Sequence, residues 1–213
     1  MTRFSPAPLY PIVDVSVGDF RKARGLAEAF FEAGAPWVQL RAKAIEARAF
    51  AELARITVAL GTERKCRVLI NDRIDVALIS GAAGVHLGQT DLPIGVAREI
   101  APHLVVGVST HEVAEARAAE RAGADYIGFG PIFETATKTD ALQRRPAGLL
   151  TEVRESVGLP IVAIGGITPE TAPSILAAGA DSVAMIGALA NADDPVSTAR
   201  ALLVRPGSER LRP

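Results

Sequence analysis

A chain of 213 residues with 49% hydrophobic and 22% charged residues carries enough apolar side chain for a sizeable core and is too hydrophobic to be intrinsically disordered. Its formal net charge of -1 offers no global field to nucleic acid or an anionic membrane, so any anionic ligand must be held by a local cluster of cations. The single cysteine, Cys66, excludes an internal disulfide framework and a multi-cysteine zinc site.

The opening stretch MTRFSPAPLYPIVDV lacks the continuous apolar run of an export signal, and no segment reaches membrane-spanning length, so a cytoplasmic setting is expected. One domain is expected over 1–213, with frayed ends near 1–7 and 205–213 where Pro and Arg are dense.

In chain order, LYPIVDV at 9–15 predicts the first strand and DFRKARGLAEAFFEAG at 19–34 an amphipathic helix ending in Gly. WVQL at 37–40, RVLIN at 67–71, GVHL at 84–87 and LVVGV at 104–108 predict further strands. HEVAEARAAERAGA at 111–124 predicts another helix, followed by strands DYIGFG at 125–130, PIVAIG at 160–165 and DSVAMIG at 181–187. These eight apolar strands alternating with helices predict parallel βα units, and so an α/β fold with a single (β/α)8 TIM barrel. Ala-Gly-Ala before three of the strands reads as a helix-ending turn, not a solenoid repeat, because its spacing is unequal. Residues 130–146, GPIFETATKTDALQRRP, form the one long turn-rich connection, a candidate lid.

Barrel enzymes work at the carboxyl ends of their strands, which singles out the residues closing each run. Gln39, Arg41 and Lys43 in QLRAK put two cations on one side of a strand, suited to a phosphate or diphosphate or to a plain solvated turn. Asp72 and Asp91 follow adjacent strands, where their carboxylates can converge on a hard cation such as Mg2+. Taken singly, Asp72 reads equally as an N-cap or a partner of Arg73, and Asp91 as a cap before Pro93. GGIT at 165–168 and MIGAL at 185–189 are Gly-bearing turns whose backbone N–H groups suit a phosphate at a helix start. Thr135 and Thr137 alternate in the long loop beside Lys138; His111 is expected at a helix start where Ser109 or Thr110 could cap, and His86 and His103 read as structural.

QLRAK, INDRID, GVHLGQTD, GVSTH, DYIGFGPIFETATKTD, PIVAIGGIT and GADSVAMIGAL together resemble the thiamine-phosphate synthase family, in order and over roughly residues 9–190. The resemblance implies a transferase that joins hydroxymethylpyrimidine diphosphate to thiazole phosphate with Mg2+ and releases diphosphate. It implies that Gln39 and Asn71 contact the pyrimidine, that Arg41, Lys43 and Lys138 hold the diphosphate, and that Asp72 and Asp91 bind the metal. It further implies that Thr135, Thr137, Gly166 and the Ile186 and Gly187 backbone receive the thiazole phosphate, with Ser109 near the reacting carbon. The implied partners are small molecules, neither nucleic acid nor membrane, and the oligomeric state stays open to a homodimer.

Three positions depart from the family pattern: Gly187 stands for a usual Ser, Ala42 for an acidic residue, and YPIVD for YLVTD. STH, FETATK and the Gly turns also resemble a thiazole tautomerase, in which His111 would be the acid or base; a non-catalytic binder of thiamine precursors is the alternative of another class. The set Asp72, Asp91, Arg41 and Lys43 favours the synthase over both.

Overall fold

The computed structural model describes residues 3–15, 19–43, 45–134 and 148–204. Eight strands alternate with helices: β1 Leu9–Val15, β2 Trp37–Ala42, β3 Arg67–Asn71, β4 Gly84–Leu87, β5 Val105–Thr110, β6 Tyr126–Phe129, β7 Ile161–Ile164 and β8 Ser182–Met185. The helices between them are α1 Phe20–Glu32, α2 Ala47–Glu63, α3 Ile74–Ser80, α4 Ile94–Ile100, α5 Val113–Arg121, α6 Leu149–Ser156 and α7 Ala172–Ala177. A short α8, Gly187–Ala190, and then α9, Pro195–Leu203, follow the last strand. Each strand pairs in parallel with the next, and β1 closes on β8 through Leu9–Val183, Tyr10–Ala184 and Pro11–Met185, so the barrel has no free edge.

The alternation of side chains along a strand divides the core in two. Leu9, Val13 and Val15 of β1 point outward into the layer against the helices, as do Val68 and Ile70 of β3 and Ile161 and Ala163 of β7. Tyr10, Ile12, Leu69, Val105, Tyr126, Val162 and Ala184 point inward and fill the barrel. Phe4 joins the inner cluster at only 3% exposure: its ring stacks on Tyr126 at 4.2 Å between centroids, and Trp37 Nε1 donates to the Ser5 carbonyl at 2.9 Å. Among the described residues of this end, burial of an aromatic ring outweighs the local Pro-rich composition.

The Ala-Gly-Ala turns end helices as expected, with Gly34, Gly123 and Gly179 all at positive φ, between 88° and 111°. Two of the three continue into Asp, which ties the barrel's lower rim. Asp125 accepts the Val106 N–H at 2.7 Å and pairs with Arg98, which also donates to the carbonyls of Leu104 and Gly123. Asp181 accepts the Ile161 N–H at 2.9 Å and pairs with Arg154, which donates to the carbonyls of Val157 and Leu159. Among the described residues no helix is long and apolar enough to cross a membrane.

Candidate active site

At the carboxyl ends of the strands the barrel opens into a pocket with one polar and one apolar half. Tyr10, Gln39, Arg41, Asn71, His86, Ser109 and Tyr126 supply the polar half, and Ile12, Val162, Ile164, Ala184 and Ile186 the apolar half. Gln39 is buried on β2, where its Nε2 donates to Tyr10 Oη at 3.2 Å. Asn71 ends β3 and is buried with its Nδ2 unpaired among the described residues. A buried amide donor without a partner is costly, so this atom is suited to a ligand acceptor in the pocket.

The two cations of QLRAK are not left to solvent alone. Arg41 pairs with Asp14 at the end of β1, and Lys43 with Asp72. Asp72 sits at φ 61°, a left-handed backbone uncommon outside glycine, with its N–H donated to the His86 carbonyl at 2.7 Å. This turn aims the carboxylate across the strand ends instead of along the following helix. Arg73, the alternative partner, pairs with Asp75, and neither α3 nor α4 has a side-chain cap, so Asp72 and Asp91 are not helix caps. Asp91 accepts the Gly88 N–H at 2.6 Å and lies within hydrogen-bonding reach of Asp72. Burial pushes the Asp72 carboxyl above its ordinary range, Lys43 pulls it back, and Asp91 pushes it up again. Two carboxylates facing each other call for a proton or a cation between them, and Mg2+ takes one or two carboxylates with water and phosphate oxygens. The residues fit that ion; no cluster of three or more His, Cys, Asp or Glu exists among the described residues.

Ser109, on β5, faces the pocket and bonds to His86 Nε2 at 3.0 Å, while the Thr110 hydroxyl donates to the Gly128 carbonyl. Neither caps α5, whose N-cap is Glu112, so the capping expectation is corrected: β5 runs on through Thr110. His111 is fixed by its N–H to Glu115 Oε2 and by Nδ1 to the Gly130 carbonyl, both at 2.6 Å, and it does not line the pocket.

Of the two Gly turns, only one begins a helix directly. Gly187 is the first residue of α8, with Ile186 as its N-cap. After Gly166 the chain turns through Thr168–Thr171 before α7 starts at Ala172, which corrects the picture of GGIT as a helix start. Gly165 and Gly166 have φ of 106° and 60°, and a Cβ on Gly166 would lie 2.4 Å from the Glu134 carbonyl oxygen. Their lack of a side chain thus also lets residues 131–134 lie close against the β7 turn. Thr135, Thr137 and Lys138 lie outside the described residues.

Sequence reasoning left out Asp14, Tyr10 and Tyr126, and read His86 as structural. Asp14 was legible as an acid ending β1. Burial and hydrogen bonding inside the barrel give the other three their importance, and neither leaves a mark in local sequence.

A closed parallel barrel with a polar pocket, paired acids and cations at the carboxyl ends of its strands defines a (β/α)8 enzyme. Residues 9–189 match the family described as thiamine monophosphate synthase. The chain belongs to the thiamine-phosphate synthase family, transferases that make thiamine phosphate. It is 42% identical to the thiamine-phosphate synthase of Chloroflexus aurantiacus over 91% of this chain and 90% of that one, and 46% identical to that of Clostridium novyi over 87% and 92%. Among solved structures, the thiamine phosphate pyrophosphorylase of Pyrococcus furiosus superposes with a TM-score of 0.80 at 34% identity, over 92% of this chain and 93% of that one. These relatives do not favour the tautomerase or the non-catalytic binder.

Proposed function

We propose that this chain, acting as a single barrel unit in the cytoplasm, joins hydroxymethylpyrimidine diphosphate to thiazole phosphate by a dissociative substitution. The observation that carries the reading is the meeting of Asp72, Asp91 and Lys43 at the pocket rim, where acids and a cation lie ready for a metal and a diphosphate. Asn71 Nδ2 and Gln39 bind the pyrimidine below it. Arg41, Lys43 and Lys138 take up the negative charge of the diphosphate as its C–O bond breaks, and Asp14 holds the Arg41 guanidinium in place for that contact. The electron pair leaves with diphosphate, the pyrimidinylmethyl cation is delocalised into the ring beside Ser109, and the thiazole nitrogen captures it. No covalent protein nucleophile is needed, so holding the partners close supplies much of the rate. Thr135, Thr137, Gly166 and the Ile186 and Gly187 backbone receive the thiazole phosphate.

The family uses a metal ion, and we assign it as Mg2+ on Asp72 and Asp91. When bound, it neutralises charge on the leaving diphosphate as a Lewis acid. The test mixes purified protein with both substrates, with Mg2+ or with chelator, and follows thiamine phosphate by mass spectrometry. Product that requires Mg2+ is expected, together with a fall of about 10²-fold in turnover for Asp72→Asn, the scale of losing one preorganised charge contact. Absence of product beside an active control enzyme defeats the reading, and unchanged turnover in Asp72→Asn defeats the metal assignment.

A further inference from the structure

At the pocket rim β5 outruns its neighbour. β4 ends at Leu87, opposite Val108, while β5 continues through Ser109 to Thr110. Successive carbonyls along a strand point to opposite sides, and that of Thr110 accepts the Gly130 N–H on the β6 side at 3.2 Å. The Ser109 carbonyl therefore faces the β4 side, beyond the last residue of that strand. A side chain meets it there: Gln89 Nε2 donates to the Ser109 carbonyl at 2.5 Å. A carbonyl oxygen only accepts, so the amide nitrogen, and not its oxygen, is the atom turned to β5.

Gln89 belongs to the turn that carries Asp91. That turn closes on itself: the Gly88 N–H donates to Asp91 Oδ2 at 2.6 Å, and the Asp91 N–H to the Gly88 carbonyl at 3.3 Å. Its surroundings are mostly solvent, with Gln89, Thr90, Leu92 and Pro93 exposed and α4 starting at Ile94 without a side-chain cap. A closed turn on a strand end keeps its shape but pivots about its stem unless a second point is fastened. The Gln89 amide fastens this one to β5. Asp72, by contrast, is tied to β4 through its own backbone, with its N–H on the His86 carbonyl at 2.7 Å. The spacing of the two carboxylates is thus set by backbone on one side and by a side chain on the other.

We propose that Gln89 is a positioning residue of the metal site: by tying the Gly88–Asp91 turn to the Ser109 carbonyl, it holds the Asp91 carboxylate at the spacing from Asp72 that Mg2+ requires. The inference rests on the reading above that Asp72 and Asp91 bind the metal. Mg2+ demands near-ideal octahedral geometry at about 2.1 Å, whereas Ca2+ takes looser shells at about 2.3 to 2.6 Å. A pivoting Asp91 therefore costs Mg2+ more than Ca2+. The same bond ties the metal acids to the backbone of Ser109, so the metal and the residue beside the reacting carbon share one frame.

The test uses Mn2+ as the probe, since its EPR signal reports the free ion, and Mg2+ or Ca2+ is then titrated in to displace it from the protein. Wild type is expected to bind Mn2+ and Asp91→Asn to lose it. Gln89→Met keeps the length of the side chain and removes the donor. It is expected to weaken Mg2+ binding by about 10-fold, the scale of losing a group that orients a metal ligand, and Ca2+ binding by less than about 3-fold, at an unchanged unfolding temperature. Gln89→Ala is expected to do the same, which assigns the effect to the lost amide and serves if Gln89→Met does not fold. Equal losses for the two ions, or no loss, in the folded variants overturn the proposal. Mn2+ bound by Asp91→Asn as tightly as by wild type, or by neither, instead defeats the metal assignment and the proposal with it.

Discussion

Gly187 shows what one missing side chain does at this site. It begins α8 immediately after β8, and a Cβ there would meet nothing nearer than Asn191 Nδ2 at 3.9 Å, so no packing or strain demands glycine. The family's usual Ser fits, and if the thiazole phosphate is received here as proposed, its hydroxyl would add one hydrogen bond at the helix start. Gly187→Ser is therefore expected to lower KM for thiazole phosphate by about 3- to 10-fold with the unfolding temperature unchanged, the scale of one net hydrogen bond. Steady-state kinetics at saturating pyrimidine diphosphate checks it, and an unchanged KM would move the phosphate away from α8. Residues of this kind were legible because strand-end position is a one-dimensional property. Asp72 and Asp91 were read as converging on that ground, and they do come together. The ion pairs of Arg41 with Asp14 and Lys43 with Asp72 were not legible, since partners 27 and 29 positions apart become neighbours only when strands align.

At the scale of elements, the two Arg–Asp clamps hold neighbouring βα units together at the rim opposite the pocket. Arg98 on α4 serves Asp125, Leu104 and Gly123, and Arg154 on α6 serves Asp181, Val157 and Leu159. Each guanidinium satisfies carbonyls where strands begin, and each Asp in turn accepts an N–H from the start of the preceding strand, Val106 or Ile161. Arg98→Ala would strand a partly buried carboxylate and two carbonyls, an expected loss of about 2 kcal/mol. The exposed Arg73–Asp75 pair is the control, and Arg73→Ala should cost under about 0.5 kcal/mol. Urea unfolding compares the two, and equal losses would show that the clamps are ordinary surface pairs. The strands themselves were legible almost to the residue, β1, β3 and β4 at both ends, because short apolar runs bounded by Gly and Asp coincide with barrel strands. The clamps were half legible: Ala-Gly-Ala repeats before β2, β6 and β8, but the Asp that gives two copies their function needs an Arg from a different element.

At the scale of the molecule, three buried titratable side chains set how the fold meets alkaline pH. Burial raises the Cys66 thiol from 9.0 to about 12 and the Tyr10 phenol from 10.0 to about 12, and lifts Tyr126 in the same direction. The unfolded chain releases these protons first while the native state keeps them, so stability is complete below the unfolded values and falls as pH rises through the window from 9.0 towards about 12. The urea midpoint is expected to drop steadily between about pH 9 and pH 11, and less steeply in Cys66→Ala, whose thiol no longer contributes. A flat midpoint would mean that these groups reach water in the native state.

Sequence by itself determined the eight-unit barrel and the end of it that carries chemistry. Strand and helix periodicity is local, and parallel βα units of this number close in one way, with the strand ends on one rim. Only the tertiary structure decided that Phe4 plugs the barrel, that Asp14 and Asp72 partner the two cations, and that Tyr10, Tyr126 and His86 form a polar line under the pocket. Those contacts join residues as far apart in the chain as Phe4 and Tyr126, and they exist because closure of the sheet turns alternate side chains of every strand toward one axis, where inward polar groups meet hydrogen-bond partners from other strands.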